Sequence, residues 1–455
     1  MDFSSFLKVD LQKQGKPMQI CKLLGLGNGG FGINGEPCWE SKMPLIKPLA
    51  PSLIRLFVMD NLEIYGGPGV YNWETIDRCV KAITDTGAQP LMCLLLKPAD
   101  FFPSLDAHIV EPNDWEAYGE FIKQIVIRYA AVARFWEVGN EPECGEAGGG
   151  TFFFTPEGYA GYYARMSRLI REACPEAKVG GAALSICGAD YPRENAVQHT
   201  MLKHIQTENL PFDFISWHAY SNDPNDIERV VVEMKQLLLD YGFDVETIID
   251  EWNSGLHFPH ANPAFQPCHI AEVVRRMKNA GLDWSCYYEI QDPVMCPDKL
   301  RKLLSPNGTA AVVRQFNRLP MHLGLFDQLG EMRPAYFAFT LLSWLAGNRV
   351  EVLEDTPVHA LATYDPELFA YSLIVWNYSD DNADARITLN GVEGGMSAHG
   401  YRLDAHTDSN ELLRRLRPQP VERLEQNAKE LAVNLNPYEI AYWTLISDEQ
   451  ASMVG

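Results

Sequence analysis

The chain has 455 residues, 46% of them apolar, and a formal net charge of −22. That is enough hydrocarbon for one large domain with a smaller companion, and it excludes global disorder. So acidic a balance argues against nucleic-acid and anionic-membrane partners, which need clustered Lys and Arg.

The ten cysteines are scattered singly without a CxxC pair, so no zinc ribbon or dithiol redox site is indicated. Cys93 in LMCLLL and Cys286 in WSCYYE read as reduced core thiols. The opening MDFSSFLKVDLQKQGKP lacks a basic region followed by an apolar run, and no stretch is apolar for a membrane span's length. A cytoplasmic protein with no membrane partner is the expectation.

In chain order, FLKVDL near the N-terminus is read as an edge strand of a later β-domain. Eight short apolar runs follow: ICKLLGLG from Ile20, SLIRLFV from Ser52, QPLMCLLL from Gln89, ARFWEVGNE from Ala133, AKVGGAAL from Ala177, FDFISWHAY from Phe212, VETIIDEW from Val245 and LDWSCYYEI from Leu282. Each has the length and continuous apolarity of a strand buried on both faces. Amphipathic stretches lie between them. ETIDRCVKAITDTG stops on a glycine, WEAYGEFIKQIVIRYA precedes the fourth run, and PEGYAGYYARMSRLIREA opens with Thr155 as cap and Pro156 in the first turn. IERVVVEMKQLLLDYG and HIAEVVRRMKNAG precede the seventh and eighth runs. Eight buried strands mostly alternating with helices predict an α/β chain with a closed (β/α)8 TIM barrel. After PAYFAFTLLSWLAG the texture changes to short alternating strands (HALATYD, FAYSLIVWNYS, ARITLNG, YEIAYWTLI) between Asn, Asp, Gly and Pro turns, the pattern of a β-sandwich. The predicted division is residues 1–19 as an N-terminal segment of the sandwich, 20–348 as the barrel and 349–455 as the sandwich. The sandwich is expected to pack on the barrel or to help build a homo-oligomer rather than to bind sugar.

In such a barrel the active groups sit at the C-terminal ends of the strands. Glu141 ends the fourth run and Glu251 the seventh, on opposite sides of one mouth. Two carboxylates facing across a mouth are what glycoside hydrolysis needs. Asp250 adjoins Glu251. Successive strand residues point to opposite faces, so only one of them can face the mouth, and Glu251 is preferred. Glu143 and Glu146 read as loop charges.

Asn140-Glu141-Pro142 on strand four and Glu251 on strand seven resemble clan A of the retaining glycoside hydrolases. Within the clan, WEVGNEP, DFISWHAY and IIDEWNSG are most similar to family 39, the family of β-xylosidases and α-L-iduronidases. VDLQKQGKP, Arg55 and MRPAYFAF sit where that family has comparable features, so the resemblance spans most of the chain. It implies Glu141 as general acid/base, Glu251 as nucleophile and a glycoside as partner, with no cofactor. It implies a terminal β-D-xyloside as substrate, with other clan sugars (arabinoside, glucoside, uronide) as alternatives. Arg55 is expected to keep the nucleophile ionised while desolvation and a neighbouring charge raise the acid's pKa. Asn140 is a candidate for the sugar 2-hydroxyl, His218 and Tyr220 for orienting the nucleophile, Trp284 for a sugar's apolar face, and Lys97 for the carboxylate of a uronide.

Two other motifs point elsewhere. GLGNGGFG near Gly25 lacks the ending and spacing of a phosphate loop and reads as a flexible loop over the barrel. His257, His260 and His269 could suggest a metal, but there is no HExxH, and Pro259 spoils a helical ligand face. They are read as belonging to a loop that lines the pocket, with no metal. The competing functions are a silent carbohydrate-binding barrel and a metal-dependent barrel hydrolase.

Overall fold

The computed structural model describes residues 5–27, 39–148, 150–185, 197–255, 260–318, 322–354, 357–391, 394–405, 416–425 and 429–448. All eight apolar runs become parallel barrel strands: Gly25–Gly27, Leu53–Val58, Gln89–Leu94, Phe135–Val138, Lys178–Leu184, Phe214–Tyr220, Glu246–Asn253 and Trp284–Tyr287. They pair in sequence order, and the eighth closes on the first. The predicted glycine loop after Gly27 and the imidazole of His257 lie outside the described residues.

Helices cover the barrel where the periodicity placed them, and three of them start on a side-chain cap. Asp114 accepts from the amides of Glu116 and Ala117, Thr155 from that of Gly158, and Asp223 from that of Asn225. The helix Phe265–Ala280 ends on Gly281 at φ 76°, the left-handed cap that glycine adopts without penalty. A helix over Val197–Glu208, between strands five and six, was not among the predicted elements.

A second, antiparallel-rich sheet holds the strands Asn348–Leu353, Val358–Asp365, Ala370–Asn377, Ala383–Asn390, Met396–Leu403, Glu430–Leu435 and Ile440–Ser447. Alternating burial along them gives a separate core built on Leu373, Val375, Ile387, Leu389, Val433 and Leu445. The N-terminal strand Ser5–Pro17 joins this sheet, but not at its edge. It pairs antiparallel with Asn348–Leu353 and parallel with Ala383–Asn390. Leu7, Val9 and Leu11 alternate inward into the sandwich core, so covering them needs a neighbour on each side. The sandwich is fixed to the barrel through the barrel helix Phe265–Ala280. There the buried Glu272 accepts from Trp376 Nε1 of the sandwich at 3.1 Å and pairs with Arg275 and Arg276.

Candidate active site

The inward side chains of the barrel strands form layers. At the N-terminal end Leu53, Leu91, Phe135, Phe214, Ile248 and Cys286 make an apolar plug. Gly180 leaves room for it, because a Cβ there would stand 2.5 Å from the Phe214 ring. Two residues further along four of these strands the layer turns polar, with Arg55, Cys93, Glu137 and Asp250 inside and shut off from solvent.

Arg55 is the hub of this layer. Its Nε donates to Glu137 Oε2 at 2.7 Å and its Nη1 to Glu251 Oε1 at 2.7 Å. Its Nη2 donates to Asn140 Oδ1 at 2.7 Å and Cys93 Sγ at 3.3 Å, and lies 2.9 Å from Asp250 Oδ2. A buried guanidinium is tolerable only when its fork of donors is matched by acceptors in this way. Burial pushes Glu137 up to about 7, against Arg55 and with the help of Asp250.

Asp250 and Glu251 both reach inward, which corrects the expectation that strand alternation would admit only one. On the neighbouring sixth strand Trp217 pairs with Ile249 and His218 pairs with Glu251, so Asp250 is the extra residue of a β-bulge. The bulge resets the alternation and turns two consecutive carboxylates toward Arg55.

Above this layer stand the two glutamates at the mouth. Glu141 takes φ 42°, in the left-handed region, and its amide donates to the Ala183 carbonyl of strand five at 2.9 Å. Its Oε1 lies 2.8 Å from His218 Nδ1, and the same nitrogen is 3.5 Å from Glu251 Oε2. Added together, the two spans bound the distance between those carboxyl oxygens at 6.3 Å. Glu251 Oε2 also accepts from the Tyr220 hydroxyl at 2.7 Å. Burial pushes the Glu251 carboxyl above its ordinary range, while His218 and Arg55 pull it back. The expectation placed the upward shift on the acid and ionisation on the nucleophile; the structure places an upward push on Glu251. Burial pulls the His218 imidazole down, but Glu251 and Asp250 outweigh it and raise it well above its usual value.

The structure therefore brings together Arg55, Asn140, Glu141, His218, Tyr220 and Glu251. It removes two of the predicted site residues. Trp284 is the first residue of the eighth strand and sits at the opposite end of the barrel, edge-on to Phe135 with centroids 5.4 Å apart and under the Lys22 ammonium. The residue at the mouth on that strand's continuation is Tyr288, whose ring centroid is 6.5 Å from that of Tyr220. Lys97 is 2% exposed, and its Nζ donates to the carbonyls of Asp106 and Thr151 at 2.6 and 3.3 Å. Its ammonium clamps two loops together through these carbonyls. Glu143 and Glu146 are staples of the same kind, accepting from Ser185 and from Ser305. His260 stacks on Phe265 at 4.2 Å, and His269 bonds the Tyr378 hydroxyl at 2.9 Å. Both imidazoles serve the contact with the sandwich rather than lining the mouth.

Glu289, next to Tyr288, was missed. It is fully buried, and neither carboxyl oxygen has a well-formed hydrogen bond among the described residues. Burial, with Asp292 and Glu251 nearby, pushes it well above the carboxylate range. That push favours its neutral form, which can both donate and accept.

A family model described as glycosyl hydrolases family 39 matches residues 7–393 of the chain. Solved structures with the same fold include a monomeric β-xylosidase from Caulobacter crescentus CB15, 17% identical over 97% of this chain and 99% of that one, with a TM-score of 0.76. A glucosidase from Croceicoccus marinus is 16% identical over 98% and 99%, with a TM-score of 0.74. A GH39 enzyme from Xanthomonas axonopodis pv. citri is 19% identical over 97% of both chains, also at 0.74. No curated protein matches the chain in sequence.

Proposed function

Because this chain belongs to glycosyl hydrolase family 39, we propose that it cleaves a terminal β-D-xyloside with retention of configuration, by double displacement. Glu251 attacks the anomeric carbon while Glu141 gives its proton to the glycosidic oxygen, and the carbon–oxygen bond breaks as the aglycone departs. Glu141 then takes a proton from water, which attacks the same carbon and frees Glu251. The observation that carries this reading is the His218 imidazole set between the two carboxyls. Its contacts hold their facing oxygens within 6.3 Å. A retaining pair stands about 5 to 5.5 Å apart, while an inverting pair needs about 6.5 to 9.5 Å to admit water.

The surrounding groups suit these roles. Arg55 Nη1 and the Tyr220 hydroxyl each hold one oxygen of Glu251, which opposes the cost of ionising it out of water. Asn140 has its Oδ1 engaged by Arg55, which orients its amide hydrogens as donors for the sugar 2-hydroxyl. A neutral sugar is favoured because Lys97, the cation expected for a uronide, is spent on backbone carbonyls. The xylosidase structures among the relatives support xylose.

The test is a panel of aryl glycosides (β-D-xyloside, α-L-arabinofuranoside, β-D-glucoside, β-D-glucuronide), with the first-formed anomer followed by NMR. The β-xyloside should turn over fastest and release β-xylose first. Initial α-xylose would overturn retention, undiminished turnover by Glu251→Gln would overturn the nucleophile, and a faster sugar would replace xylose. A folded protein that binds these glycosides and cleaves none would be the silent barrel.

A further inference from the structure

Beside the mouth lies a cavity of about 890 Å³, walled by three loops. The loop after strand three contributes Leu105 and His108; the one after strand four, Cys144 and Phe153; and the segment beyond strand eight, Leu304 and Pro306. It adjoins the acid. The Cys144 amide donates to the Glu141 carbonyl at 2.9 Å, and the Cys144 thiol lies in the field of both Glu141 and His218. Cys144 thus joins the backbone of the acid to the wall of the cavity.

Several polar groups of the wall already have partners. Ser104 Oγ accepts from the Asp106 amide at 3.0 Å, and Asp106 Oδ1 accepts from the His108 amide at 3.0 Å. Glu146 takes the Ser305 amide and hydroxyl, the Cys144 thiol lies 2.8 Å from Ser185 Oγ, and Arg301 holds Asp298 at 2.5 Å. Beside the His108 imidazole, the wall offers mainly hydrocarbon: Leu105, Leu304, Pro306 and the Phe153 ring, which is 37% exposed and has its centroid 5.0 Å from that of His108. A second sugar would bring several hydroxyls to a wall with few polar groups left to match them, and each unmatched group would be penalised. A flat apolar ring needs no new donor and covers the exposed face of Phe153. The volume is in the range for drug-sized ligands and exceeds the needs of one phenyl ring.

We propose that this cavity receives the leaving group of the glycoside, and that it selects a flat, multi-ring aglycone over a second sugar. The proposal rests on the glycosidase reading above, and its test separates the two. With the sugar that the panel selects, kcat/KM is measured for the 2-naphthyl glycoside, the phenyl glycoside, the matching disaccharide and the glycosyl fluoride. The fluoride carries no ring and asks little of the cavity. Naphthyl should exceed phenyl by about tenfold, and the disaccharide should be slowest. In Phe153→Ala the naphthyl-to-phenyl ratio should fall toward one, and Phe153→Tyr should restore it. Leu105→Ala provides the same reading if Phe153→Ala does not fold. Equal rates on naphthyl and phenyl glycosides, or a preference for the disaccharide, would overturn the aglycone assignment while fluoride hydrolysis upheld the glycosidase. A folded protein that cleaved neither the fluoride nor any glycoside would overturn both.

Discussion

The two ends of the barrel are built from the same strands and differ in almost every physical respect. On strands two, three, four and seven, one residue separates Leu53 from Arg55, Leu91 from Cys93, Phe135 from Glu137 and Ile248 from Asp250. The lower layer is hydrocarbon and fills space. The upper layer is a charge network centred on one guanidinium, and buried ion networks gain little stability over well-packed hydrocarbon of the same volume. The contrast teaches that the lower layer holds the strands in place and the upper layer exists for chemistry. Glu251 receives its two short hydrogen bonds only because Arg55 and Tyr220 are fixed beneath and beside it.

The sharpest way to break the upper layer is at the carboxyls. Glu251→Gln should lower kcat on order of 10⁵- to 10⁶-fold, the scale for losing a nucleophile. Glu141→Gln should cost about 10²- to 10⁴-fold on aryl glycosides with poor leaving groups, the scale of general acid catalysis, and much less on the glycosyl fluoride. Stopped assays across leaving groups check both. A loss in Glu141→Gln that ignored the leaving group would remove its role as acid. The pH profile sharpens the same point. Burial raises Glu251, so its reactive, ionised form appears only above the ordinary carboxylate value. The acidic limb of kcat/KM should therefore have its midpoint above 4.5.

Next in size is a matched pair of substitutions across the two layers. Arg55→Met leaves Glu137, Asp250 and Glu251 without their shared cation and should destabilise the fold by about 3–5 kcal/mol. Phe135→Ala, one layer below, should cost about the same through its cavity. Denaturant titration should find the two similar in stability. Activity per folded molecule should separate them, nearly lost in the first and close to wild type in the second. Equal loss of activity would show that the layers are not divided as argued.

Much of this was legible in the chain, for reasons that also mark where legibility ends. The eight strands could be read because a strand buried on both faces must be a continuous apolar run. Glu141 and Glu251 stood out as charges at the ends of such runs. The bulge at Asp250 could not be read, because inferring alternation assumes an unbroken ladder. Trp284 was misassigned, although the rule that selected Glu141 would have rejected it: it begins its run, and Tyr288 is the residue nearer the mouth. Glu137 carried a signal that went unused, since a charge within a buried apolar strand demands a partner, and Arg55 on strand two was the available one. The internal position of the N-terminal strand depends on pairing with segments more than three hundred residues away, for which local pattern has no sign.

The smallest expected effect concerns Lys97, which tests whether the loops above the barrel are held by structure or kept for a charged sugar. Burial lowers its ammonium from 10.5 to about 8, with Asp106, Glu146 and Asp60 opposing. The folded chain thus binds fewer protons than the unfolded chain between these values, so this group's contribution to stability grows as pH rises from about 8 to 10.5 and is lost as pH falls back through 8. In Lys97→Met that portion of the rise should be absent when the melting temperature is followed across this window. The ratio of glucuronide to xyloside hydrolysis should stay as in the wild type, because the ammonium faces two carbonyls. A selective fall in glucuronide turnover would instead return Lys97 to the sugar and reopen the uronide reading.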